Sequence, residues 1–339
     1  MTNKLTHRAV LAGSLALGVV SPVCAEEEPR SYSIATAAEG GTYYPVGVAM
    51  AVLASIHLES TNGIGVEALV TGGSIENIRM MREDEAQFGI VQVLAGEWAR
   101  DGVGPIEDAG PQENLRAVAM LWPDVAHFLI RSELAETGTV DDLANLSGHG
   151  FSMGPLGSGA EFTNAALFQN YGFDHAGWAP AFMSYDDSVL ALEEGSIGGV
   201  NIGSGIGATS VVQLLSQMGE AITLLSVSDE QLQQFNGDQG ILAAAFIPGG
   251  TYAGVEDSVQ TGALPNFLAV NANVPEEDVY LFTRVMFENL EYLCEVHQAA
   301  CALTIEGALD GLPVPIHPGA ARFFNELGIE ASPPVADGE

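Results

Sequence analysis

The sequence is poor in basic residues. It has 339 residues, and Lys and Arg together number 10 against 44 Asp and Glu. All the acidic residues follow position 25, where eight Arg and no Lys remain, so residues 26–339 carry a formal charge of 8 − 44 = −36. This composition excludes nucleic acid as a partner, because phosphates are bound by a basic surface. The scattered acids favour adaptation to a salty medium, in which their repulsion is screened, over a calcium site.

Long apolar runs are also absent beyond the N-terminus. Lys4 and Arg8 precede an apolar run over 9–20, and small residues lead to Ala25. This is the pattern of a secretory signal peptide cleaved after Ala25. The run is shorter than the about 20 residues that a membrane-spanning helix needs. An uncleaved anchor and lipidation of Cys24 are less favoured alternatives, so we expect an exported, periplasmic protein.

Cysteine is scarce, and only Cys294 and Cys301 remain after the predicted cleavage. If 290–302 were one continuous helix, the two would stand about 10 Å apart, too far for a disulfide. A bridge requires the helix to end between them, and the sequence leaves this open.

Signatures of catalysis are lacking as well. No G-x-S-x-G elbow, P-loop or H-E-x-x-H occurs, and the histidines are dispersed without metal-ligand spacing. A G-x-G-x-x-A match at 203–208 is weak in a chain with 40 glycines that is exported from the cell. We therefore expect no enzyme activity, no catalytic residue, no metal and no cofactor.

What the sequence does have is an alternation of short apolar runs with helical patterns. The predicted strands are 31–36, 66–70, 88–93, 115–121, 127–131, 150–154, 197–202, 221–227, 241–247 and 267–270. The predicted helices are 46–56, 74–82 (capped by Ser74), 161–171, 188–194 and 276–294. This order predicts an α/β fold with a mostly parallel sheet covered by helices.

Four glycine-rich polar loops each follow a predicted strand. They are 39–45 (EGGTYYP), 71–74 (TGGS), 154–159 (GPLGSG) and 203–207 (GSGIG). Ligands of open α/β sheets bind beyond the carboxyl ends of the strands, where the first amides of helices suit an anion. Each loop alone is equally well explained as an ordinary turn, but together they predict a carboxylate-binding cleft.

Several segments resemble the TAXI family of solute receptors of TRAP transporters. The resembling segments are 34–47 (IATAAEGGTYYPVG), 67–77 (EALVTGGSIEN), 85–92 (EAQFGIVQ), 154–159, 247–252 (IPGGTY) and 316–320 (IHPGA). They keep the family's order over about 31–325.

The resemblance implies a two-lobed periplasmic-binding-protein type II fold with crossing hinge strands. Lobe I would hold 31–128 and 265–339, and lobe II would hold 129–264. The lobes would close by hinge motion on a small organic anion, such as a glutamate-like or 2-oxoglutarate-like solute, and deliver it to TRAP membrane subunits. The receptor is expected to be a monomer. A ligand-presenting receptor for a sensor protein and an exported enzyme on a bilobal scaffold are the alternatives.

The resemblance also implies a set of ligand-binding residues. They are Gly41, Thr42, Tyr43, Ser74, Gln92, Trp122, Gly157, Ser158, Gly159 and Asn201. The segment 198–203 lacks the aromatic run that the family has there, and this leaves the identity of the ligand open. Arg131 is either the cation for a carboxylate or part of a structural ion pair between the lobes.

Overall fold

The computed structural model describes residues 29–238 and 240–331, so the predicted signal peptide at 1–25 lies outside the described residues. The described part forms strands β1 (Arg30–Ala35), β2 (Ile64–Leu69), β3 (Phe88–Gln92), β4 (Leu115–Arg131), β5 (Phe151–Ser152), β6 (Pro180–Ala181), β7 (Gly199–Ser204), β8 (Ile222–Leu224), β9 (Ala243–Ile247) and β10 (Val259–Asn271).

Its α-helices are α1 (Tyr43–Ala54), α2 (Ser60–Asn62), α3 (Ser74–Arg82), α4 (Val93–Asp101), α5 (Gly159–Tyr171), α6 (Tyr185–Glu194), α7 (Thr209–Met218), α8 (Asp229–Asn236), α9 (Glu276–Glu288), α10 (Leu290–Val296) and α11 (Pro318–Glu326). A π-helical segment (Ser55–Glu59) joins α1 to α2, and short 3-10 turns connect other elements. Among the described residues, no helix combines the length and apolarity needed to cross a bilayer.

The strands join into one mixed sheet. Its order is β2-β1-β3-β10-β4-β7-β5-β6, with β8 beside β4 and β9 beside β10. Pairs β1–β2, β1–β3, β5–β6 and β5–β7 are parallel, whereas β4 and β10 run antiparallel to their neighbours. The predicted α/β class is confirmed, but the sheet is mixed rather than mostly parallel.

Two long strands run through the middle of this sheet. The first part of β4 pairs with β10, and its last part, from Val125, pairs with β7. The prediction of separate strands at 115–121 and 127–131 is wrong, because β4 is one strand of 17 residues. Pro123 lies opposite Pro265 of β10 at this point. Neither proline has an N–H, so neither leaves a ladder donor unpaired.

Each side of these two strands has its own buried core, and we call them the β1–β3 side and the β5–β7 side. On the β1–β3 side, one face of the sheet packs on α1, α9 and α11 through residues such as Met50, Phe88, Phe282 and Phe324. The opposite face packs on α3 and α4 through Ile78, Met81, Ala95 and Phe267. The β5–β7 side is likewise covered on both faces, by clusters that include Phe128, Phe151 and Phe168 on one and Val200, Ile202 and Leu214 on the other. Burial on both faces holds the strand ends of each side in fixed positions.

The prediction of one long helix over 276–294 is wrong. It is broken at Asn289, which has non-helical angles of φ −127° and ψ 33° and separates α9 from α10. His297 then leaves the helix with φ −150° and ψ 128°. The chain turns back so that Cys294 and Cys301 lie 4.4 Å apart at their Cα atoms and form a disulfide. The condition set by the sequence, a helix end between the two cysteines, is met.

Candidate functional site

A cavity lies where the carboxyl ends of β1, β3 and β7 face the loops of both sides. It encloses about 510 Å³ of empty space, including its opening to solvent. The lining residues are Ala37, Ala38, Gly41, Thr42, Tyr43, Gly72, Gly73, Ser74, Gln92, Asp124, Pro155, Gly159, Ala160, Tyr185, Gly203 and Ser204. All four glycine-rich loops contribute to this lining.

Three helices begin at the cavity. The first residues of α1, α3 and α5 are Tyr43, Ser74 and Gly159, and all three line it. No side chain caps α1 or α3. The first amides of a helix lack internal partners, and the helix dipole adds partial positive charge at this end. The cavity therefore offers several N–H donors that suit an anion.

Ser74 does not cap α3, contrary to the prediction. Gly73 precedes the helix with φ 99°, a backbone conformation that favours glycine, and Ser74 is the first helical residue. The Ser74 hydroxyl instead accepts a hydrogen bond of 3.0 Å from the backbone N–H of Gln92. This bond ties the start of α3 to the end of β3.

The two sides touch each other across the cavity. Thr42 Oγ1 lies 2.9 Å from Ser204 Oγ and accepts a hydrogen bond of 3.1 Å from the N–H of Gly205. Both the N–H and the hydroxyl of Ser210 donate to the carbonyl of Gly40, at 3.2 and 3.0 Å. A Cβ on Gly40 would lie 2.1 Å from Ser210 Oγ, so only glycine permits this approach. These contacts join the loops of the β1–β3 side to those of the β5–β7 side.

Asp124 is the one charged residue among the described lining residues. It is 2% exposed, and its Oδ1 has no hydrogen-bond partner. Burial raises the pKa of Asp124 from 3.8 to about 7, while Asn266, Tyr43, Trp122 and Gln92 nearby act in the opposite direction. Desolvation wins because a buried carboxylate loses its hydration, and neutral hydrogen-bond donors restore only part of it.

A polar network surrounds Asp124. Tyr43 donates its hydroxyl proton to Asn266 Oδ1 at 2.6 Å, and Asn266 Nδ2 donates to the carbonyl of Trp122 at 3.0 Å. Burial raises the pKa of Tyr43 well above its ordinary value, with the charge of Asp124 adding to this. Tyr185, the other tyrosine of the lining, donates to the carbonyl of Gly203 at 2.9 Å, and burial raises its pKa as well. Both tyrosines therefore remain neutral donors.

Six of the predicted site residues line the cavity: Gly41, Thr42, Tyr43, Ser74, Gln92 and Gly159. Four do not. Ser158 caps α5 by accepting from the N–H of Glu161, and Gly157 precedes it with φ 76°. Trp122 is fully buried against Tyr43, with ring centroids 6.2 Å apart. Asn201 donates to Asn164 Oδ1 at 2.7 Å.

The structure shows neither alternative for Arg131. Its Nε lies 3.2 Å from Glu133 Oε1, and its Nη1 donates to the carbonyl of Leu192 at 2.9 Å. Both partners belong to the β5–β7 side, so the pair does not connect the two sides. Arg131 does not line the cavity, and no Lys, Arg or His is among the described lining residues.

Sequence reasoning missed Asp124, although a signal for it exists. Asp124 is the only acidic residue in the segment 115–131, and apolar residues flank it from 117 to 126. An isolated carboxylate in a buried strand is unusual, because an unpaired buried charge is costly. Taking 122–126 as a break between two strands hid this signal.

The comparisons with known proteins agree with this architecture. The sequence profile of the NMT1-like family matches residues 34–328. The periplasmic binding protein BugD is similar in structure with a TM-score of 0.53 and 11% identity, over 90% of this chain and 99% of that one. MatC from Rhodopseudomonas palustris with bound malate gives 0.51 and 16% identity, over 88% and 95%. At these identities the likeness is one of fold, and the expected periplasmic-binding-protein fold is confirmed.

Proposed function

The chain belongs to the NMT1-like family, and from this premise we propose that it is the extracytoplasmic solute-binding receptor of a TRAP transporter of the TAXI type. It captures a small carboxylate or acidic amino acid, of the glutamate or 2-oxoglutarate kind, in the cleft between two lobes. It then delivers this solute to the TRAP membrane subunits. The export signal predicted at 1–25 and the segments that resemble TAXI receptors support this assignment.

The observation that carries the proposal is the meeting of three helix N-termini in one cavity. α1 and α3 belong to the β1–β3 side and α5 to the β5–β7 side, so a ligand there would contact both. In a chain with so few cations, backbone N–H groups supply the positive potential that an anion needs. The malate bound by MatC, a protein of the same fold, is also a small carboxylate.

We propose the two lobes that the resemblance implies. Lobe I consists of 31–128 and 265–339 and lobe II of 129–264, with the two long strands crossing between them. Pro123 and Pro265 lie opposite each other where these strands cross. A hinge there would let the cleft open while each core stays intact, as in other two-lobed receptors.

Ligand binding tests the proposal. A panel of carboxylates and amino acids is screened by thermal shift in high salt, and those that raise Tm are titrated by calorimetry. We expect a small carboxylate or amino acid to bind with one-to-one stoichiometry. Gly159→Leu, which places a side chain between Gln92 and Ser74, should abolish this binding, because a Cβ there already lies 3.1 Å from both residues.

The matched control is Gly177→Leu, at an exposed glycine outside the cavity. It should bind as the wild type does. If Gly159→Leu keeps wild-type affinity, or if no carboxylate or amino acid of the panel binds, the cavity is not a site for such solutes. Delivery is measured separately, as solute uptake by vesicles that contain the TRAP membrane subunits.

A further inference from the structure

The cavity presents opposite charges close together. Helix N-termini offer partial positive charge at Tyr43 and Ser74, and Asp124 offers a carboxylate. Gln92 connects the two, because its N–H bonds to Ser74 Oγ and its side chain lies beside the Asp124 carboxyl. Tyr43 likewise begins α1 and lies near Asp124. Gln92 thus contacts both the start of α3 and the Asp124 carboxyl.

Nothing in the described protein neutralises Asp124. Its Oδ1 is buried and without a partner, and no basic side chain lines the cavity. A buried carboxylate that is neither paired nor fully hydrogen-bonded is strongly unfavourable. A feature of this cost in the wall of a ligand cavity indicates a partner that arrives with the ligand.

A metal ion is not the partner that this donor set favours. Among the described residues, no group of three or more His, Cys, Asp or Glu is placed to hold a metal. The neighbours of Asp124 are instead the neutral groups of Asn266, Tyr43, Trp122 and Gln92. An organic cation satisfies a single carboxylate without further charged ligands, and an ammonium group can also donate to the amide oxygen of Gln92 and the hydroxyl oxygen of Tyr43.

We propose that Asp124 binds the ammonium group of an α-amino acid whose carboxylate lies at the N-termini of α1 and α3. This rests on the proposed function and narrows it, since the receptor then takes amino acids in preference to 2-oxo acids. In an α-amino acid both charged groups are attached to one carbon, and in the wall a single residue, Gln92, contacts both the start of α3 and the Asp124 carboxyl. A 2-oxo acid would face Asp124 with an acceptor and leave the carboxylate unpaired.

The pH dependence of binding distinguishes these ligands. The titratable groups that face Asp124 are Tyr43 from α1 and Tyr185 from α6, and burial raises the pKa of both. The uncharged neighbours are Gln92, Trp122, Asn266 and, through Gln92, Ser74. Between pH 6 and 8, then, Asp124 alone changes charge in this group. Affinity for an amino acid should rise with pH, whereas affinity for a 2-oxo acid should fall.

Calorimetry on matched ligand pairs tests the inference. The pairs share a carbon skeleton: glutamate with 2-oxoglutarate, leucine with 4-methyl-2-oxopentanoate, and alanine with pyruvate. We expect the wild type to bind the amino acid of one pair at least tenfold more tightly than its 2-oxo acid. Asp124→Asn, which keeps the shape and removes the charge, should weaken amino-acid binding by about 10- to 100-fold and flatten its pH dependence.

Asp257→Asn, at an exposed position, controls for the change in net charge and should bind as the wild type does. Wild-type preference for the 2-oxo acid, or unchanged amino-acid affinity in Asp124→Asn, would overturn the inference and leave the proposed function standing. If no amino acid and no carboxylate binds at all, the proposed function fails and the inference with it. Folding of each variant is checked by circular dichroism before titration.

Discussion

Asp124 and His127 are two buried ionisable residues of β4, three positions apart, that differ in their hydrogen bonding. His127 is fully buried and has a partner at each ring nitrogen: the carbonyl of Ile202 at 2.8 Å from Nδ1, and the hydroxyl of Tyr252 at 2.7 Å from Nε2. A carbonyl can only accept, so Nδ1 carries the proton and Nε2 accepts from Tyr252. Asp124 is as deeply buried, yet its Oδ1 has no partner.

The difference separates a structural residue from a candidate binding residue. His127 completes a closed network, because the Tyr252 hydroxyl also accepts from the N–H of Gly207 at 3.0 Å. Burial lowers the pKa of His127 from 6.5 to about 4, so the neutral ring is the form the network holds. The network around Asp124 is incomplete, because its Oδ1 has no partner, and Asp124 lines the cavity. An incomplete network at a cavity wall indicates a ligand; a complete one indicates packing.

We expect the largest change in stability when Asp124 is replaced. Its pKa of about 7 in the folded state, against 3.8 ordinarily, means that the folded state binds more protons between these values, so stability is lost as pH rises from 4 to 7. Asp124→Asn removes this loss, and the variant should gain about 4 kcal/mol relative to the wild type over that range. Urea unfolding of ligand-free protein in high salt measures it. A difference that stays constant with pH would mean that Asp124 is paired without ligand.

His127 should affect stability with the opposite pH dependence, and by a smaller amount. Its pKa is lowered, so the unfolded state binds more protons between pH 4 and 6.5, and the stability that the neutral ring provides is lost as pH falls through this range. His127→Gln keeps a donor and an acceptor but does not titrate. It should gain about 3 kcal/mol relative to the wild type between pH 6.5 and 4. The control is His149→Gln, at an exposed site. Equal pH profiles for wild type and His127→Gln would contradict the closed network.

Much of the fold could be predicted because its signals are local. Glycine-rich loops after apolar runs are visible in the sequence, and residues of all four such loops line the cavity. Elements that depend on distant contacts were missed. Pro123 was interpreted as a strand break, because the sequence does not show that Pro265 lies opposite it in the sheet. Asn289 likewise ends α9 inside a segment whose helical pattern continues.

The candidate site was predicted only in part, for a similar reason. Loop residues such as Thr42 and Gln92 belong to motifs, whereas Asp124 acquires its character from burial among residues distant in sequence, such as Asn266. Trp122 was expected in the ligand wall but packs behind it, against Tyr43. Sequence patterns identify the loops that meet at the cavity. The side chains that face the cavity are decided by the packing of β4 between β10 and β7, which the sequence does not show.

Replacing Tyr252, the residue that completes the His127 network, should change stability less than either substitution in β4. Tyr252→Phe removes one hydroxyl and leaves His127 Nε2 and the N–H of Gly207 without their partner. Two buried polar groups lose a hydrogen bond each, so the free energy of unfolding should fall by about 1–2 kcal/mol, with ligand affinity unchanged, because Tyr252 does not line the cavity. Tyr292→Phe, at a half-buried position, is the matched control and should change stability by less than about 0.5 kcal/mol. If Tyr252→Phe instead weakens ligand binding while stability is unaffected, the network around His127 belongs to the site, and the division between the two residues of β4 does not hold.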